Sequence, residues 1–118
     1  MSVEKAKAHY IGKPGYQKLN CAQAVVRAFE DQFALSQDVV EKCATCGGGR
    51  APDGECGALY AARVLLEKDH PEQVRACENS LLSVAGSTKC KEIRAAKKLS
   101  CVGCVETVAI AVEKGLEQ

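Results

Sequence analysis

Eight cysteines, at Cys21, Cys43, Cys46, Cys56, Cys77, Cys90, Cys101 and Cys104, are the residues of this chain best suited to do chemistry. As thiolates they attack disulfides and bind soft metals. Two pairs have Cys-x-x-Cys spacing, Cys43/Cys46 and Cys101/Cys104, which suits chelation or a small disulfide ring. The first pair opens the run from Cys43 to Gly57, C-A-T-C-G-G-G-R-A-P-D-G-E-C-G. Gly47, Gly48 and Gly49 there can take positive φ and bring bare backbone N–H groups to a ligand. Arg50 follows them, placed either to balance the charge of a cluster or thiolate or to sit solvated on the loop.

The remaining sequence reads as helices that position these thiols. A first helix spans Val3 to Ile11 and is broken by Gly12-Lys13-Pro14-Gly15. Asn20 caps a second, with Ala24, Val25, Ala28, Phe29 and Phe33 at helical spacing. A short third helix starts at Ser36 and ends near Cys43. Asp53 is expected to cap a fourth, with Glu55 in its first turn and Leu59, Ala62, Leu65 and Leu66 buried. Pro71 opens a fifth, whose apolar stripe is Val74, Cys77, Leu81, Val84 and Ala85 before Gly86. Ser87 is expected to cap a basic helix to Lys98, and Ser100 the last helix, burying Val105, Val108, Ala109 and Val112. No strand and no internal repeat is found. The predicted fold is all-α: one domain over residues 1–118, a single bundle of six or seven short helices with an irregular Gly/Cys-rich loop.

On these helices Cys21, Cys56, Cys90, Cys101 and Cys104 fall in first turns, where the helix dipole and open N–H groups favour a thiolate or an anionic cluster. Cys77, mid-helix on an apolar stripe, reads as a core residue. Cys21 reads equally well as core or as ligand. The spacing excludes c-type haem attachment, since Gly47 and Val105 stand where the His would follow, and it lacks a ferredoxin run. The two Cys-x-x-Cys pairs lie too far apart for an ordinary zinc ribbon, and no βαβ pattern flanks Cys43/Cys46.

Composition sets the wider bounds. The chain has 118 residues, a formal net charge of +1 and no Trp, so neither a nucleic-acid nor a membrane partner is expected. No stretch has the length of a spanning helix, and the N-terminal residues do not read as a signal peptide. The expected location is the cytoplasm, where thiols stay reduced and this many cysteines point to metal or redox chemistry. The basic face of Lys89, Lys91, Arg94, Lys97 and Lys98 is ordinarily a solvated surface, and would also suit an acidic redox partner protein. A homodimer fits a thin bundle of small residues by analogy.

At Asn20-Cys21-Ala22-Gln23-Ala24-Val25, Gly47-Gly48-Gly49-Arg50, Cys56-Gly57-Ala58, Gly86-Ser87-x-x-Cys90 and Cys104-x-x-x-Val108 the sequence resembles the C_GCAxxG_C_C family, whose members are regarded as redox-active. The resemblance runs from about Asn20 to Val112. It implies that Cys21, Cys56, Cys90 and Cys104 are the signature cysteines. A related domain of split-Soret cytochromes implies a link to electron transfer and an iron–sulfur centre. Ala61 departs from the pattern, which has glycine there, and Cys43, Cys46, Cys77 and Cys101 are additional.

Three expectations follow, and no catalytic residue is assigned outside the second. The first is a redox protein binding an iron–sulfur cluster through Cys56, Cys90 and Cys104, with Cys21 or Cys101 as fourth ligand. The second is a metal-free dithiol protein using Cys43/Cys46 or Cys101/Cys104. The third is a zinc-binding adaptor domain. Cys43, Cys46 and Cys101 also offer ligands for a second metal site.

Overall fold

The structure, a computed structural model, describes residues 2–33, 41, 43, 51, 54–67 and 70–116. Among these residues seven helical segments are present, and the only strand-like pairing is one isolated bridge between Glu55 and Lys89. The all-α reading holds. The segments are α1 (Ser2–Ile11), α2 (Cys21–Ala28), α3 (Glu30–Phe33), α4 (Gly57–Leu66), α5 (Pro71–Ala85), α6 (Cys90–Ala96) and α7 (Cys101–Leu116).

The longest helix, α7, runs along α1, α2, α4 and α5, and α2 also packs on α1 and α4. Its stripe of Val105, Val108, Ala109 and Val112 is fully buried, as the 3.6-residue period requires. Leu59, Ala62, Leu65 and Leu66 of α4, Val25 and Ala28 of α2, and Phe29 at the α2 C-cap fill the same core. Many contact residues are alanine, so backbones approach closely and first turns of different helices can share one space. On α5, Val74, Cys77, Leu81 and Ala85 are buried, but Val84 is 48% exposed. At 100° per residue Val84 projects about 20° beyond Cys77, at the edge of the stripe in the last turn, and its exposure corrects the expected stripe.

Helix ends follow local chemistry. Asn20 Oδ1 accepts the Gln23 N–H at 2.8 Å while the Gln23 side chain accepts the Asn20 N–H, a complete capping box at α2. Ser100 Oγ accepts the Gly103 N–H at 3.1 Å and starts α7. Pro71 takes the first position of α5, and Gly86, with φ of 80°, closes it.

Several helix boundaries differ from expectation. Helix α4 begins at Gly57 with Cys56 as N-cap, so Glu55 precedes the first turn, and Asp53 lies outside the described residues. Helix α6 begins at Cys90 after Lys89, because Ser87 Oγ accepts the Lys89 N–H and donates to Glu92 Oε1 at 2.6 Å instead of capping a helix itself. That helix also stops before Lys98, with Lys97 left-handed at φ of 54°. The helix from Asn20 is interrupted at Phe29, whose N–H turns back to Val26, before α3 resumes. The third predicted helix, from Ser36, lies outside the described residues except that Glu41 is helical and Cys43 sits in a 3₁₀ turn.

Candidate redox centre

Four helix beginnings that carry cysteines face one cavity. Three of the approaches are fixed by identifiable contacts, the first of them between segments far apart in sequence. The Cys56 N–H donates to Thr88 O at 2.8 Å beside the Glu55–Lys89 bridge, so the residues leading into α4 and α6 lie side by side. This places Cys56 and Cys90, each the next residue after a bridge partner, at the same wall. Arg63 of α4 donates to both carboxylate oxygens of Glu55, at 2.8 and 3.3 Å, and to Glu78 of α5 at 3.0 Å, which clamps the approach to Cys56 onto two helices. These contacts raise the Arg63 pKa, the hydrogen bond to Glu55 being the largest cause.

On the opposite side, the connector from α1 to α2 folds over His9. The His9 Nδ1–H donates to Gln17 O at 2.8 Å, and the Leu19 N–H donates to His9 O at 2.9 Å. This delivers Lys18, Leu19, Asn20 and Cys21 to the cavity edge. The third approach, the turn from α6 to α7, brings Leu99 against Gly103. A Cβ on Gly103 would stand 2.6 Å from Leu99 Cδ1, so glycine is what permits that contact.

The cavity has a volume of about 830 Å³, within the range of small-molecule and cofactor sites. Its wall includes Cys21, Cys56, Cys90, Cys101 and Cys104. Sequence reasoning had placed the same five thiols in first turns, and the fold brings them together. Cys21 and Cys101 are first residues of α2 and α7, Cys104 is one turn into α7, and Cys56 is the N-cap of α4. The positive ends of these three helices therefore meet in one apolar space. Lys18, Arg94 and Lys97 stand at the rim, and Tyr10 joins from α1.

The thiols interact. Cys56 donates to the Cys104 sulfur, which holds the Cys104 thiol below its usual range and drives Cys56 strongly upward, burial adding to the rise. Cys104 also feels Cys101, Cys21 and Cys90, each of which resists its ionisation. Burial pushes Cys90 up, with Arg94 opposing and Cys56 and Cys101 adding to the rise. The Arg94 Nη2 lies 4.0 Å from Cys101 Sγ. Cys104 thus carries the ionised form more readily than Cys56, with a protonated neighbour to stabilise it.

The other sequence candidates fall elsewhere. Cys77 is fully buried in the core, pushed up to about 11 by burial and then by Glu78, and takes no part in the cavity wall. Cys43 is buried, and its carbonyl accepts from Asn20 Nδ2 at 3.2 Å. Cys46, Gly47, Gly48, Gly49 and Arg50 lie outside the described residues. Among the described residues no group of three or more His, Cys, Asp or Glu is gathered around the position of a single metal ion.

Sequence reasoning did not find Tyr10, Lys18 or the Arg63 clamp. Arg94 and Lys97 had been read only as part of a basic surface, and no signal in the order of residues separated the two that turn toward the thiols. The chain matches no protein-family model, no curated protein and no solved structure. No helix among the described residues is long and apolar enough to cross a membrane.

Proposed function

We propose that this chain is a small redox protein that holds an iron–sulfur cluster in the cavity where α2, α4 and α7 begin. The ligands would be Cys56, Cys90 and Cys104, with Cys21 or Cys101 as the fourth. The observation that carries this reading is the gathering of five thiols on one cavity wall. Its volume exceeds what one metal ion fills, and its electrostatics suit an anion. Three helix N-termini and the cations Lys18, Arg94 and Lys97 would offset the negative charge of a thiolate-bound cluster. Such a group supplies one-electron transfer when bound. The protein's part is to supply ligand sulfurs, exclude water with Leu19, Ile93 and Leu99, and present cations to an acidic partner protein. The resemblance to the C_GCAxxG_C_C family supports the same class.

The test is purification without oxygen, followed by a visible spectrum with iron, zinc and acid-labile sulfide measured on one sample. Matched iron and sulfide, with colour bleached by dithionite and lost in Cys56→Ser and Cys90→Ser, is the expected result. Zinc in place of iron would favour the adaptor reading.

One observation favours the dithiol reading, and it pairs different residues from those the spacing suggested. Cys56 and Cys104 share the cavity wall and act on each other's acidity in opposite directions, Cys56 raised and Cys104 lowered. Attack by the Cys104 sulfur on a partner's disulfide would form a mixed disulfide and expel one partner thiolate. Cys56 would then lose its proton, displace the second partner sulfur and leave a Cys56–Cys104 disulfide. A colourless protein whose Cys56 and Cys104 oxidise together at cytosolic potentials would establish this reading instead.

A further inference from the structure

The cavity wall carries fixed charge of one sign. Lys18, Arg94 and Lys97 line it, and among the described lining residues there is no Asp, Glu or His. The chain as a whole is nearly balanced, with 16 Lys and Arg against 15 Asp and Glu, so the excess is local. Ion pairs among the described residues use Lys7, Arg27 and Arg63 and none of these three cations.

The backbone around each cation places it. The Lys18 stem lies along Gly12, where an added Cβ would stand 3.0 Å from Lys18 Cβ and 3.3 Å from its Cδ. The Leu19 N–H, held by His9 O at 2.9 Å, fixes the residue that follows. Arg94 comes after the buried Ile93 on α6, and its Nη2 lies 4.0 Å from Cys101 Sγ, so the guanidinium is turned to the wall. Lys97 closes α6 at φ of 54°, the one non-glycine residue with positive φ among those described. Glycine is the ordinary residue in that conformation, so lysine costs the fold stability while adding a cation to the wall. Leu19, Ile93 and Leu99 give the same wall an apolar part.

We propose that the rim of this cavity binds a small organic dianion. Its carboxylate or phosphate groups rest on Lys18, Arg94 and Lys97, and its apolar body on Leu19, Ile93 and Leu99. A cavity of about 830 Å³ accommodates a molecule of that class. The three cations line a concavity, which favours a small molecule over the surface of an acidic protein, and Arg94 can hold a planar anion with two parallel bonds. The inference goes beyond the cluster reading. It uses the cations of the wall and not the thiols, and it stands whether or not a cluster forms.

The experiment uses the full chain, reduced, metal-free and at low salt. The probes are phthalate and phenyl phosphate, with uncharged dimethyl phthalate as the control. Binding is followed by calorimetry and by iodoacetamide labelling of the half-buried Cys21 and Cys101. Both anions should bind and slow the labelling, the neutral ester about tenfold more weakly, and added salt should weaken the anions alone. The stronger of the two anions tells a carboxylate site from a phosphate site. Lys18→Gln and Arg94→Gln should each weaken binding about threefold, as for exposed charge pairs, with wild-type far-UV circular dichroism. Lys97→Ala keeps the strained backbone and Lys97→Gly relieves it. Both should bind about threefold more weakly, while Lys97→Gly alone melts about 2–5 °C higher.

No binding of either anion, or equal binding of the neutral ester, would overturn the site. Binding that leaves the labelling of Cys21 and Cys101 unchanged would overturn its assignment to this cavity. Capture of hexaglutamate but of neither small anion would overturn the ligand class and give the cations to an acidic protein. Undiminished binding in both Lys97 variants would refute the role of Lys97.

Discussion

Removing the Cys56 thiol should make the Cys104 thiolate harder to form. Hydrogen bonds to charged groups contribute about 1.5–3 kcal/mol, and a thiol, as a weak donor, belongs at the lower end of that range. Since about 1.4 kcal/mol is tenfold in an equilibrium, Cys56→Ala should cut the ionisation constant of Cys104 about tenfold. The thiolate that still forms is more nucleophilic by about threefold, given a Brønsted coefficient of about 0.4–0.5. Alkylation of Cys104 near neutral pH should therefore slow about three- to fourfold, provided access is unchanged.

Cys104 is 3% exposed, so the smaller alanine side chain could also widen access. The pH profile separates the two effects. Access scales the whole curve, whereas loss of the donor moves its midpoint upward. The assay is iodoacetamide labelling of metal-free protein across pH, with Cys104 resolved by peptide mass spectrometry. Cys56→Ser keeps a hydroxyl donor and should leave the midpoint close to that of the wild type. A midpoint that stays put in Cys56→Ala, or moves equally in both variants, would refute the claim that Cys56 stabilises the Cys104 thiolate.

Cys77 should act on stability alone. Its thiol is pushed from 9.0 up to about 11, so the folded state favours the neutral form. That contribution is complete below about pH 9 and is lost as pH rises toward 11, reaching about 1.4 kcal/mol by pH 10. Urea unfolding at pH 7 and pH 10 should show this loss in the wild type and a smaller one in Cys77→Ala, while iron binding at pH 7 is unchanged. Arg63→Met should leave Glu55, 13% exposed at its side chain, without its cation. The expected cost is about 1–3 kcal/mol, between the values for exposed and buried pairs, and measurable by urea unfolding. The same variant should bind less iron, because the approach to Cys56 loosens. Gly86→Ala forces a side chain onto a φ of 80° against Lys98 and should cost about 1–2 kcal/mol, read as a lower melting temperature.

What the residue order made legible here is local. Asn20 and Ser100 announce their helices because a short polar side chain satisfies an N–H two or three residues on. The stripe from Val105 to Val112 follows from periodicity alone. The placement of cysteines near helix starts was visible for the same reason, whereas the meeting of all five on one wall was not. Ser87 misled because its hydroxyl is spent on Lys89 and Glu92, a competition that a cap rule does not weigh. The bridge from Glu55 to Lys89 joins residues 34 apart, and the Arg63 clamp links a loop to two helices. Neither leaves a periodic trace. Tyr10 looked like an ordinary last-turn residue of α1, since the cavity it lines is completed by Arg94, Cys101 and Cys104 from the far end of the chain.

The spread of the cavity thiols along the chain has a thermodynamic consequence. Cys56 and Cys90 are separated by 34 residues and Cys90 and Cys104 by 14, as their numbering gives. Any group bonded to all three closes two loops that the unfolded chain would otherwise leave open. On the chain-entropy account each closure removes about 3–4 kcal/mol from the unfolded ensemble. That is a large fraction of the net stability of a small domain, about 5–15 kcal/mol. Cross-linking by an occupant would therefore do for this alanine-rich bundle what disulfides do for small secreted domains. Its loss would be felt first in the lifetime of the folded chain.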